Sequence, residues 1–307
     1  ASRLINQAAK RPLFDPATHH RGRGGWADRH GAMLWHSGSA LWRVDSKGEL
    51  QKARPGEHDG FLYTRQPVTI EPWEVPVQPH ESPAQRILED LKTWKWERPY
   101  LDPVLCLGWI ATALMGGALK TRPVIFTTGG PGVGKTTMRE LFRNVLDGAV
   151  FSVADTTAAG IYQRLKNDAL MVMVDELENK PGSTRAQSVI DLARIAYSGD
   201  DMARGGQDHH GVSFKMFASF FFSAINPPPM TEADKSRMAI LNLERLDQKN
   251  GLGRKVDVSI DTDGRMILRQ VMDGWRHFNQ TILQDWWETL SNAGLDSRAI
   301  DTYGTLL

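Results

Sequence analysis

Apolar residues in the middle of the chain fall into short unbroken runs separated by stretches with helical spacing. "PVIFTT", "AVFSV", "ALMVMVDE", "FASFFFSAIN" and "MAILNL", between residues 123 and 243, are rich in β-branched and aromatic residues and read as strands. Alternating with them, "KTTMRELFRNVL", "TTAAGIYQRLKN", "TRAQSVIDLARIAY" and "TEADKSR" read as helices, the second capped by Thr156 or Thr157. Continuously apolar strands alternating with helices predict an α/β core: a parallel sheet with helices on both faces.

The flanks have other patterns. Residues 20–75 are β-rich: "GAMLWHSGSALWRVD" places two apolar-aromatic runs around Ser37-Gly38, a hairpin signal, with Trp26, Trp35 and Trp42 as a small core. A proline-punctuated linker, "EPWEVPVQPHESP", leads to a helix start with Ser82 as N-cap, Pro83 at the first position and Gln85 as capping-box partner. A second helix is expected from Asp102 as cap and Pro103 just inside, running to about Leu119. From about Met266 to Leu290 the pattern is helical again, with Trp275, Phe278, Ile282, Trp286 and Trp287 as packing residues. The expected organisation is a small β-rich N-terminal domain over 1–80, for collar formation or DNA or partner docking, and a helical linker over 81–120. The core then spans 121–250 and a helical C-terminal segment, a reduced lid or the start of another domain, 251–307. The closing "YGTLL" reads as the break point of a longer protein.

Composition narrows the classes. Cys106 is the one cysteine, which excludes an intramolecular disulfide and fits a reducing, cytoplasmic setting. "VLCLGWIATALMGGALK" is too short and too glycine-broken to span a bilayer, which needs about 20 residues, and reads as a buried helix. The net charge of +1 demands no nucleic acid globally, yet residues 1–54 hold ten Lys/Arg against four Asp/Glu, among them Arg21, Arg23 and Arg29. Those three either guide DNA or are solvated charges. Nine histidines with one cysteine show no metal-ligand spacing.

The chemistry begins at "GGPGVGKTT". Gly129, Gly130, Pro131, Gly132, Val133, Gly134, Lys135, Thr136 and Thr137 match G-x-x-x-x-G-K-[ST] between an expected strand and an expected helix. Glycines let backbone N–H groups curl around phosphate oxygens, and the helix N-terminus adds its positive end. Lys135 can reach the β/γ-phosphates of ATP, and the Thr136 hydroxyl can ligate Mg2+. Asp175 and Glu176 end the strand "ALMVMV", the first suited to the Mg2+ shell and the second to polarising an attacking water. Asn226 ends the next strand before "PPP", where its amide can bond the lytic water or γ-phosphate, or simply begin a turn. Arg237, or less readily Lys235, precedes the last strand, either as a surface charge or as an arginine finger supplied to a neighbouring subunit.

P-loop, "DE" strand, Asn-terminated strand and "SR" before a final strand together resemble the AAA+ ATPases. The insert before the Asn strand is similar to that of superfamily 3 helicases. "GRGGWADRHGAMLWHSGSALW", "WERP", "TTAAGI", "DALMVMVDELE" and "ARIAYSGD" resemble the ATPase part of phage and mobile-element primase-helicases, over most of residues 20–245. The resemblance implies a homo-hexameric ring that hydrolyses ATP with Mg2+ and translocates on single-stranded DNA, and it leaves open whether a primase domain or another replication partner goes with it. It implies a lid arginine too, for which Arg265, Arg269 and Arg276 are candidates. The insert "DDMARGGQDHHGVSFKMFASF" reads as a β-hairpin with its tip at Asp208 to Gly211. By the same resemblance it lines the pore, with His209 and His210 at the tip and Arg204 and Lys215 on the arms as DNA-binding residues; read without the resemblance, it is equally a plain surface turn. The alternative is an AAA+ ATPase for DNA packaging or protein remodelling without unwinding.

Overall fold

A computed structural model describes residues 2–10, 15–178, 182–205, 211–245 and 262–307. After α1 (Ser2–Ala8) and α2 (Pro16–His19) come seven short strands: β1 (His20–Arg21), β2 (Gly24–Ala27), β3 (Met33–His36), β4 (Leu41–Val44), β5 (Leu50–Ala53), β6 (Gly56–His58) and β7 (Phe61–Tyr63). They form a four-stranded antiparallel sheet, β2-β3-β4-β5, and a three-stranded sheet, β1-β7-β6. The expected hairpin is β3–β4, turning at Ser37-Gly38, where the left-handed φ of Gly38 is one that side-chain-bearing residues rarely adopt.

Helices α3 (Pro83–Leu91) and α4 (Asp102–Met115) follow. Ser82 caps α3 by accepting from the Ala84 N–H, but Gln85 does not close a capping box; its amide bonds Glu89 one turn on. Asp102 is not the cap of α4 either. It lies inside the first turn, fully buried, and pairs with Arg98 at 2.8 Å. The helix stops at Met115, before the glycine pair that the sequence reading ran through.

The central sheet is β14 (Met238–Asn242), β8 (Val124–Thr128), β13 (Phe220–Ala224), β10 (Met171–Val174) and β9 (Val150–Val153), in that order and parallel throughout. Between these strands run α5 (Lys135–Val145), α6 (Ala158–Leu165), α7 (Arg185–Ser198), the antiparallel pair β11 (Asp201–Gly205) and β12 (Gly211–Lys215), and α8 (Glu232–Lys235). Thr157 is the cap of α6, accepting from Gly160 N–H at 3.1 Å. Strand β13 shows why its sequence is unbroken "FFFSA". Phe221 points to one face, with ring centroids 5.3 Å from Trp109 of α4 and 5.0 Å from Phe142 of α5, while Phe222 points to the other, 5.7 Å from Phe126. Both faces are dry, so no alternation with polar residues survives.

The C-terminal segment is a rod, α9 (Asp263–His277), a π-helical turn over Phe278–Ile282 and α10 (Leu283–Asn292), then α11 (Ser297–Leu306) capped by Asp296. That last helix, over "SRAIDTYGTL", lies beyond the reach of the sequence reading, which ended its helices near Leu290.

One apolar cluster draws on all four expected segments: Met33 and Trp35, Ile87 and Trp109, the sheet, and Ile267, Met272 and Trp275. A smaller one gathers Trp26, Leu34, Leu41, Tyr63 and Ala169. The tryptophans expected to form one small N-terminal core are thus divided: Trp35 is fully buried in the main cluster and Trp26 in the second. Where the N-terminal sheet meets the loop before β10, Arg23 donates to Asp168 through both backbone and guanidinium, at 2.7, 3.0 and 2.6 Å. Arg21 stacks on Phe61 and donates to Ala27 O and the Tyr63 hydroxyl. Both arginines are therefore used inside the molecule. Among the described residues, no helix is long and apolar enough to cross a membrane.

Candidate nucleotide-binding site

A parallel sheet gathers its loops at the carboxyl ends of its strands, and a crevice opens where neighbouring strands lead away in different directions. Here β13 is inserted between β8 and β10, so the loops after all three strands meet at one edge. The cleft there has a volume of ≈ 500 Å3 and is lined by Pro131 to Thr137, Asp175, Glu176, Glu178, Ala224 and Ile225. Residues forty positions apart in sequence come together because their strands are one strand apart in space.

The loop from β8 to α5 is shaped by its glycines. Gly129 has φ +151°, and a Cβ there would lie 2.3 Å from the Leu243 carbonyl. Gly134, at φ +91° in the left-handed region, is the N-cap of α5, and its carbonyl accepts the Trp94 indole N–H at 3.0 Å. The linker before the core thus braces the loop from beneath. Lys135 opens α5 and turns its ammonium back across the loop, donating to the carbonyls of Gly129 and, at 3.0 Å, of Gly130. Burial lowers its pKa, against the raising charges of Glu178 and Asp175. Thr136 is exposed at the cleft.

Three carboxylates follow β10. Asp175 is half-buried, accepts the Glu176 N–H at 3.1 Å through Oδ1 and takes the Arg139 guanidinium through Oδ2. Glu176 is exposed at φ +54°, a left-handed conformation that is costly for a glutamate, and its carboxylate has no hydrogen bond or ion pair among the described residues. Glu178 is committed to the backbone, accepting from Ile225 N–H and, at 2.7 Å, from Asn226 N–H. It fastens the end of β13 to the loop after β10.

The structure brings Gly129 through Thr137, Asp175 and Glu176 to one edge of the sheet, where Asn226 is tied to Glu178 by its backbone; its exposed amide is not a lining group of the cleft. Arg237 lies elsewhere. It precedes β14, at the amino edge of the sheet, where its Nη1 donates to Ala233 O and its guanidinium sits 5.7 Å from the Tyr197 ring centroid. Burial lowers its pKa, helped by the charges of Arg298 and Arg194. It cannot serve the cleft of its own chain. Lys235 pairs with Glu232 at 2.9 Å. The lid-arginine candidates also lie away from the cleft: Arg265 donates to Glu71 O, and Arg269, fully buried, holds Asp273, Glu74 O and Gly48 O. Arg276 lines a separate hollow between α9 and the N-terminal sheet.

The insert is a β-hairpin, β11 paired with β12, with Arg204 opposite Val212 and Lys215 opposite Asp201 and exposed. His209 and His210 lie outside the described residues. Sequence reasoning missed Trp94, Arg139 and Glu178. Only Glu178 carried a signal, as a second acid in "DELE".

No protein-family model and no curated protein matches the chain. Among solved structures, it is similar to the apo structure of the NrS-1 C terminal region (305-718), with 13% identity and a TM-score of 0.41 over 82% of this chain and 64% of that one. The A form apo structure of the NrS-1 C terminal region-CTR gives 12% identity and a TM-score of 0.45 over 97% and 73% of the two chains. The chain thus spans just under two thirds of the first of these relatives.

Proposed function

We propose that the chain is a P-loop ATPase of the AAA+ kind, the helicase motor of a replication protein that moves on single-stranded DNA as a homo-hexamer. The observation that carries the ATPase part is the cleft, in which an ammonium and a threonine hydroxyl from the start of α5 and three carboxylates from the loop after β10 line one edge of a parallel sheet. Its shape suits a triphosphate: the glycine turn leaves N–H groups without side chains in front of them, at the start of a helix whose dipole favours anions.

In this reading Lys135 leaves its loop carbonyls for the β/γ-phosphates of ATP. Thr136 and Asp175 hold Mg2+, which supplies positive charge against the phosphate oxygens. Glu176, its carboxylate unpaired, accepts the proton of the attacking water. Glu178 holds the backbone of Asn226 beside the cleft, from where its amide would have to turn inward to orient that water. Arg237, at the far edge of the sheet, stabilises charge in the site of the next subunit, which is why its own cleft lacks it. The DNA part rests on the β11–β12 hairpin, which enters the chain immediately before β13; that strand stops at Ala224, two residues short of Asn226.

Binding of a fluorescent ATP analogue and steady-state hydrolysis test the first part. Lys135→Ala should lose binding, whereas Glu176→Gln should bind and hydrolyse about 100- to 10,000-fold more slowly. Hydrolysis that survives in Glu176→Gln would remove that residue from the chemistry.

A further inference from the structure

Lys135 and Arg139 are four residues apart on α5, so both face the end of β10 one turn above the other. Lys135 is accounted for by the motif; Arg139 is not. Its guanidinium makes a short charge-assisted bond to Asp175 Oδ2, with the two side chains 22% and 18% exposed. Asp175 Oδ1 is taken by the Glu176 N–H at 3.1 Å, so the chain itself uses both oxygens. Arg139 Nε is buried with no acceptor among the described residues. The guanidinium is therefore held by the carboxylate and not by a full set of acceptors, an arrangement readily given up.

Resting on the reading of this cleft as a magnesium-nucleotide site, we propose that Arg139 is a positioning residue that sets how much divalent cation the site needs. The guanidinium and the cation contend for the same oxygen of Asp175. A fixed positive charge beside a carboxylate repels a dication there and offsets part of the attraction that the carboxylate exerts. Arg139 yields Oδ2 when cation and nucleotide enter together, and closes on it again when they leave. The aspartate stays oriented between turnovers, at the expense of cation affinity.

The test is Mn2+ binding followed by electron paramagnetic resonance, with saturating fluorescent ATP analogue, in the wild type, Arg139→Gln and Arg139→Lys. A parallel titration of the analogue in EDTA reads nucleotide binding without cation. The expected result is about tenfold tighter Mn2+ in Arg139→Gln, ~1.4 kcal/mol, with wild-type affinity in Arg139→Lys, which keeps the charge. Unchanged or weaker Mn2+ binding in Arg139→Gln, with wild-type nucleotide binding in EDTA, overturns the proposal while leaving the nucleotide site standing. If the wild type binds no nucleotide under either condition, the reading of the cleft falls and this proposal with it.

Discussion

Gly129 and Gly130 are adjacent and both belong to the glycine loop, yet their surroundings differ. A Cβ on Gly129 would overlap the Leu243 carbonyl, at a φ of +151°, whereas a Cβ on Gly130 would meet nothing within 4 Å. The close approach at Gly129 is what lets Leu243 N–H bond Thr128 O at 2.8 Å and seals the loop against the end of β14. Gly129→Ala should therefore cost about 2–3 kcal/mol in chemical unfolding, through overlap and backbone strain. Gly130→Ala should stay within about 0.5 kcal/mol of wild type. Equal effects from the two substitutions would contradict this account of the loop.

Elements matter to the site through their order in the sheet. Because β13 lies between β8 and β10, the carboxylate of Glu178 can reach across to two N–H groups at the end of β13. Glu178→Ala leaves those donors to solvent and should lower stability by about 1–2 kcal/mol, read as a lower denaturant midpoint with unchanged slope. Glu178→Gln should recover part of the loss, since an amide oxygen still accepts one bond; a variant as stable as wild type would show that solvent substitutes fully. The elements themselves were legible in the sequence because dry strands between helices leave unbroken apolar runs, and all five strands of the central sheet lie within those runs. The loop residues of the cleft were legible too, since Gly129, Lys135, Thr136 and the Asp175-Glu176 pair follow a spacing imposed by the turn. What the sequence could not reveal depends on strand order. Arg139 looks like any surface charge on a helix, and Trp94 like any aromatic in a linker, until the sheet brings β10 beside α5 and the linker beneath Gly134. The π-helical turn over Phe278–Ile282 and the capped helix α11 had no periodic signal strong enough to separate them from their neighbours.

At the scale of the whole molecule, the N-terminal sheet and the central sheet are welded where Arg23 meets Asp168, and two histidines lie in that joint. His36 is fully buried, and burial lowers its pKa against the backbone of Gly22 and Gly38 and the charge of Asp168; the charge of Arg23 lowers it further. Its ring packs edge-on to Tyr63. His20, held by Thr64 and Asn167, is lowered by burial as well, against the charge of Asp168. A lowered folded-state pKa means that the unfolded chain binds protons first. The stability these neutral rings contribute is therefore complete above pH ~6.5, the unfolded value, and is lost as pH falls from there through their lowered folded-state values. The melting temperature should drop between pH 7.5 and 5.5, and His20→Gln should flatten part of that slope; a level profile would mean that the joint tolerates charged imidazoles.

The motor reading ties these scales together: a cleft at one edge of the sheet, an arginine at the other edge for a neighbouring copy, and a hairpin between them in the chain. Its most direct test is steady-state ATP hydrolysis with and without single-stranded DNA, in the wild type and in a His209→Ala/His210→Ala variant. The account predicts hydrolysis that DNA stimulates in the wild type, with stimulation lost and basal hydrolysis kept in the variant. Active hydrolysis by an assembled ring that DNA leaves unchanged in both proteins would contradict it, and would turn the hairpin toward a protein substrate.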